Sequence, residues 1–172
     1  MTTTININDL PTALQGTLVA EENRLDFWPA MHHGSIFEAM NLEGMIFDVA
    51  EKQSSDYTGG LWEFVVLDAD KKIYYIYPDQ TNDLTVQGIM NYSKANMSPR
   101  FFGLMTTMLC LAWRGDQTGD ERYYAAYRNL HGYARTVLEE IYLPYDDVAE
   151  SEWPEEVAQA ANLLGTMHSF LD

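Results

Sequence analysis

Beyond Arg135 the chain contains no lysine or arginine. Across 172 residues Lys and Arg number 10 against 26 Asp and Glu, a formal net charge of −16. That shortage argues against direct phosphate binding, which needs clustered cations. Cysteine is scarce as well: Cys110 stands alone, so no disulfide can form within the chain, and a reducing, cytosolic setting is the better reading. No stretch reaches the roughly 20 apolar residues that crossing a bilayer takes. The opening MTTTININDLPTALQG has neither a basic start nor an apolar signal core, so the expectation is a soluble protein without an evident address. The sequence also lacks GxSxG, HExxH, CxxC and GxxxxGK[ST], the patterns that would announce nucleophilic, zinc, redox or phosphate chemistry.

What is present describes a folded protein. Hydrophobic residues make up 47% and aromatics 13%, where disordered acidic segments are poor in both, and the length fits one domain. Residues 1–17, rich in Thr and Asn and interrupted by Pro11, read as a flexible N-terminal arm, with a single domain over 18–172. A short helix is expected over Glu21 to Trp28, ended by Pro29. Leu42, Met45, Ile46 and Val49 predict a second over Asn41 to Gln53. Past the turn Tyr57-Thr58-Gly59-Gly60, the runs Leu61 to Leu67 and Lys72 to Tyr77 are β-branched and aromatic, joined by Asp68-Ala69-Asp70-Lys71, and predict a hairpin. Leu84 to Met90 is expected to add a third strand, since an isolated hairpin is marginal. Ser98-Pro99 opens a mostly apolar helix that ends near Arg114-Gly115. Another helix spans Asp120 to Ile141, and a last one begins near Pro154. The order predicts an α+β fold: a small antiparallel sheet of about three strands packed against several helices.

Each residue that could carry chemistry also has a plainer role. Cys110, within MTTMLCLAW, reads as a packed core thiol. His32-His33 with Glu38 invites a metal reading, and with Ser35 a hydrolase reading, yet adjacent residues point to different sides and no spacing rule supports either. His131 and His168 fall within predicted helices. Gly59-Gly60 precedes a strand rather than a helix and reads as a tight turn. Tyr74, Tyr75 and Tyr77 could stack bases, but the better reading is a strand buried on one face and amphipathic on the other. No catalytic, cofactor or metal residues are therefore assigned.

The acidic end has two readings, a solvated face and a partner-contact surface comprising Asp146, Asp147, Glu150, Glu152, Glu155 and Glu156. Eight carboxylates from Glu139 to Glu156 would span about 27 Å if helical, roughly one per 3.4 Å, the charge spacing of a DNA strand. Pro144 and Pro154 make one continuous helix implausible, so the comparison supports charge density and not geometry.

LVAEENRLDFWP (Leu18 to Pro29), SSDYTGGLWEFVVL (Ser54 to Leu67), IYYIYPD and RFFGLMTTMLCLAWR resemble the plasmid and mobile-element antirestriction proteins of the ArdB/KlcA type, from about Leu18 to Tyr133. The resemblance implies a compact α+β fold and a bacterial cytoplasmic protein that protects incoming DNA by inhibiting type I restriction-modification. It transfers no catalytic motif or cofactor. Phe27-Trp28-Pro29 and Asp56-Tyr57-Gly59-Gly60-Trp62 match as structural signatures. The expected partner is a type I restriction-modification enzyme or an associated host protein, by a direct or an indirect route, with no nucleic acid or membrane and with a homodimer left open. The alternative is an acidic binding module for another basic or DNA-handling protein. As a core aromatic, Trp62 should cost about 3 to 5 kcal/mol when replaced by Ala, measured as a loss of thermal stability with activity falling only as soluble protein falls.

Overall fold

A helix that is apolar on nearly every side has to be surrounded, and Pro99–Thr118 (α4) is: every residue from Phe101 to Met108 is buried. Ser98 caps it by accepting from the Phe101 amide at 3.2 Å, and Pro99 supplies a first residue whose missing N–H costs nothing there. It closes at Gly119, four residues beyond the expected end. The computed structural model describes residues 9–32 and 34–171.

Alongside α4 runs β3 (Ile73–Pro78), antiparallel to β2 (Trp62–Asp68). All six β3 residues are buried, which corrects the expectation of one amphipathic face. Both faces are covered. Tyr74 meets the rings of Phe27 and Trp28 at 5.4 and 5.8 Å, while the Tyr75 hydroxyl, on the other face, donates to the Leu14 carbonyl at 2.9 Å. The edge of β3 is closed by α4: the Ile76 amide donates to Thr107 Oγ1 at 3.3 Å, and that hydroxyl in turn lies 3.5 Å from the Ile76 carbonyl. An open edge would offer unpaired backbone groups to other chains.

The third strand of this sheet is β1 (Thr17–Leu18), paired as Thr17↔Val66 and Leu18↔Val65, giving the order β1-β2-β3. Leu84 to Met90 does not extend the meander. Its first part, β4 (Leu84–Gln87), pairs with β5 (Lys94–Met97) in a separate two-stranded sheet. The turn from Gly88 to Ser93, closed by a 2.7 Å backbone bond, folds the chain back on itself before it can reach β3. Strand β5 went unpredicted because Lys94-Ala95-Asn96-Met97 alternates too weakly to signal a strand.

The segment from Asp9 to Gly16 is packed, contrary to the expected arm. Its helix α1 (Thr12–Gln15) buries Leu14 completely, Leu10 is 2% exposed, and the Gln159 side chain donates to the Asp9 carbonyl. Residues 1–8 of that arm lie outside the described residues. Helix α2 (Arg24–Met31) runs through Pro29 instead of stopping there. The carbonyl deprived of its donor belongs to Leu25, a residue 89% exposed, where water can serve it. Helix α3 (Ile36–Gln53) starts earlier than its apolar stripe predicts because Ser35 and Glu38 form a reciprocal capping box. Helices α5 (Glu121–Tyr142) and α6 (Glu155–Leu171) complete the fold and pack on one another.

The closeness of α4 to β3 rests on one residue. A Cβ at Gly103 would sit 2.3 Å from the Ile76 carbonyl oxygen and 2.4 Å from the Tyr77 Cα, atoms that cannot rotate aside. Gly103→Ala is expected to destabilise by at least about 2 kcal/mol through overpacking. Gly44→Ala, with open space around its would-be Cβ, should stabilise by about 0.5 to 1 kcal/mol. Urea unfolding midpoints of the two variants test this opposition of sign.

Candidate functional site

The two family-type signatures build a scaffold. Phe27 and Trp28 are buried and meet edge-on at 4.9 Å, with Phe64 4.7 Å from Phe27. In the second signature Trp62 donates its indole N–H to the Tyr57 hydroxyl at 2.8 Å, both residues buried. The Asp56 carboxylate accepts from the Thr85 amide at 2.8 Å, and Ser54 Oγ donates to the Thr85 carbonyl at 2.8 Å. Gly59 and Gly60 have φ of +85° and +118°, which side-chain-bearing residues rarely adopt. Together these residues tie the end of α3 to the start of β2 and to β4. They are brought together as a bracket between elements, with Gly59, Gly60 and Thr58 exposed at its bend.

The histidine neighbourhood divides differently. His32 is buried, its ring 6.3 Å from Trp28 and 5.5 Å from Tyr123; His33 lies outside the described residues. Ser35 is committed to the capping box, its Oγ accepting from the Glu38 amide at 3.3 Å while the Glu38 carboxylate accepts from the Ser35 amide at 2.6 Å. The backbone bond from Ser35 is the main cause that lowers the Glu38 carboxyl below its ordinary value. Nearby, Asp120 caps α5, and hydrogen bonds from Arg122 hold its carboxyl down to about 2. Among the described residues no group of three or more His, Cys, Asp or Glu is arranged to hold a metal ion. Cys110 is fully buried, and burial pushes its thiol far up, away from the reactive thiolate.

The acidic end becomes a defined surface. Chain direction reverses between α5 and α6 through two short 3₁₀ turns, Leu143–Tyr145 and Glu150–Glu152, so the carboxylates do not line one helix. Glu139 and Glu140 end α5, Asp146, Asp147, Glu150 and Glu152 occupy the connector, and Glu155 and Glu156 open α6, where they face the positive helix end. All six predicted contact residues are exposed. Arg135 pairs with Glu139 at 2.6 Å; no ion pair is recorded among the described residues for the six.

Trp153 organises this connector, a role the sequence reading missed. Half-buried, its indole N–H donates to the carbonyls of Val148 at 2.9 Å and Tyr145 at 3.2 Å, and its ring meets Tyr142 edge-on at 5.5 Å. Tyr142 in turn donates its hydroxyl to Asp146 at 2.7 Å. The available signal was a lone aromatic in a polar, proline-bounded stretch, which needs something to pack against. Trp153→Phe keeps the ring and removes the shared donor. It should cost about 1 kcal/mol and speed amide exchange selectively over residues 145–150, read by hydrogen-exchange mass spectrometry.

Comparison with known proteins places this scaffold. The family model described as Antirestriction protein matches residues 55–140. The chain is 28% identical to the uncharacterized protein YafX of Escherichia coli (strain K12) over 118 residues, 69% of this chain and 77% of that protein. It is 25% identical to the antirestriction protein KlcA of Escherichia coli over 142 residues, 77% of this chain and 96% of KlcA. A solved chain from the structures of KlcA and ArdB superposes with a TM-score of 0.62 at 21% identity, covering 84% of this chain and 92% of that one. Those two proteins show a novel fold and antirestriction activity against type I DNA restriction systems in vivo but not in vitro. The matched segment runs from the Asp56–Trp62 bracket through the hairpin and α4 into the last turn of α5, half of the chain, and on that ground this chain belongs to the antirestriction protein family.

Proposed function

We propose that this chain protects DNA against type I restriction-modification in a bacterial cytoplasm, and that it does so by contacting a protein rather than by chemistry of its own. The observation that carries the reading is the family match over residues 55–140, supported by the fold shared with KlcA and ArdB. A binding mode is favoured because the groups that suggested chemistry have structural employment: Ser35 and Glu38 cap a helix, His32 is wedged between aromatic rings, and Cys110 is sealed in the core. The surface best suited to contact is the connector bearing Asp146, Asp147, Glu150 and Glu152 with Glu155 and Glu156 beside it, since uncompensated exposed carboxylates attract basic protein surfaces.

A second reading is that the partner is another basic or DNA-handling protein of the host, through which restriction is relieved indirectly. It is favoured by one observation: KlcA and ArdB act in vivo and not in vitro, as expected when a further cellular component is needed. No helix among the described residues is long and apolar enough to cross a membrane.

Plating efficiency of unmodified phage on a host with a type I system, with and without this protein, tests the function; unchanged plating despite good soluble expression overturns it. For the contact surface, converting Asp146, Asp147, Glu150, Glu152, Glu155 and Glu156 to their amides should weaken protection while leaving the melting temperature nearly unchanged, because solvated charges contribute little to stability. Binding to the captured partner should weaken steeply with salt, exposed charges being screened within about 8 Å at physiological ionic strength. Full protection by the amide variant would remove this surface from the mechanism.

A further inference from the structure

Next to the acidic connector, α5 and α6 leave an open groove of about 440 Å³ between them. Its α5 wall is one helical stripe, His131, Arg135, Glu139 and Tyr142, continued by Leu143 of the following turn, and its α6 wall is Leu164, Met167 and His168. Leu143, which follows the half-buried Tyr142 and opens the turn that begins the connector, is 56% exposed. From His131 to Leu143 the stripe rises about 18 Å, the length of some three helical turns. Carboxylates outnumber cations around it. Arg135 is neutralised by Glu139 at 2.6 Å, no Lys or Arg follows it in the sequence, and Glu140, Asp146 and Asp147 stand exposed at the Leu143 end.

Resting on the reading that this protein acts by protein contact, we infer that the α5–α6 groove receives a helix of a protein partner, one with an apolar stripe flanked by Lys and Arg. The apolar residues enter between Leu143 and Leu164, and the cations face the carboxylates of the connector. This is the helix-in-groove mode, in which anchors at i, i+3, i+4 and i+7 supply affinity and flanking charge supplies orientation and encounter rate. The chemistry selects this occupant over a second copy of the chain, because two chains of −16 would bring like charge together at the same place.

The test uses the full chain with two readouts, phage plating on a type I restricting host and fluorescence anisotropy of a labelled probe peptide, about 12 residues of amphipathic helix with Leu on one stripe and Lys elsewhere. Leu143→Asp is expected to lower both protection and peptide affinity by at least about tenfold at an unchanged melting temperature. Leu25→Asp, at a residue more exposed still and on α2, should change neither. If Leu143→Asp proves insoluble, Leu143→Ala, which only removes the apolar tip, is read in its place. Unchanged peptide affinity in the Leu143 variant, or an equal loss in the Leu25 variant, overturns the groove. Wild-type protection retained in full by the Leu143 variant overturns it too, and leaves the function reading standing. If the wild type never protects, the function reading falls and the peptide titration alone decides the groove. A concentration-dependent dimer that Leu143→Asp dissolves would assign the groove to a second copy and overturn the inference.

Discussion

At Gly103 the backbone of α4 comes against the backbone of β3 with no side chain between them, and most of the remaining architecture depends on that approach. It brings Thr107 within reach of the Ile76 amide and carbonyl, which closes the sheet edge without another strand. It also explains why a strand of three tyrosines and two isoleucines is buried along its whole length. Helix α2 and its Phe27-Trp28 pair cover one face, and α1, through the Leu14 carbonyl, meets the other. With β3 fixed, the Asp56–Trp62 bracket sets where β2 enters and where β4 attaches. The family match over residues 55–140 takes in β2, β3, α4 and the Asp56–Trp62 bracket, while α1 and α2 lie outside it.

Against that scaffold the acidic end is a separate physical device. Its carboxylates contribute little to the core, and their concentration at the α5–α6 reversal repels the like-charged remainder of the chain. What keeps the connector shaped is Trp153, one indole N–H shared by two carbonyls, together with the Tyr142–Asp146 hydrogen bond. A charged surface held in one geometry loses less entropy on meeting a partner than a floppy acidic tail would. An ordered acidic pole therefore favours specific recognition over general attraction to basic surfaces.

Part of this was legible from residues in order. The Ser98-Pro99 helix start and the hairpin around Asp68 to Lys71 follow from local turn and capping chemistry. The packed thiol of Cys110 was readable in the same way. Other elements were not. Helix α2 passes through Pro29 because a short exposed helix can spare one hydrogen bond to water, and no local rule announces that. The N-terminal segment looked like an arm because Leu10 and Leu14 are too few to make a stripe; only a complementary surface on the folded chain reveals them as core residues.

The sequence by itself determined the presence of helices α2 to α6, the hairpin, the sign and place of the charge, and a likeness to antirestriction proteins, because periodicity, caps and composition reside in neighbouring residues. Tertiary structure alone decided that Thr17–Leu18 and not Leu84–Gln87 completes the first sheet, that β3 has no solvent face, and that Leu143 faces a groove beside the acids. Strand pairing and groove formation are chosen by burial between residues far apart in the chain. Their energies depend on which surfaces remain uncovered once α4 has docked, and no window of adjacent residues contains that information.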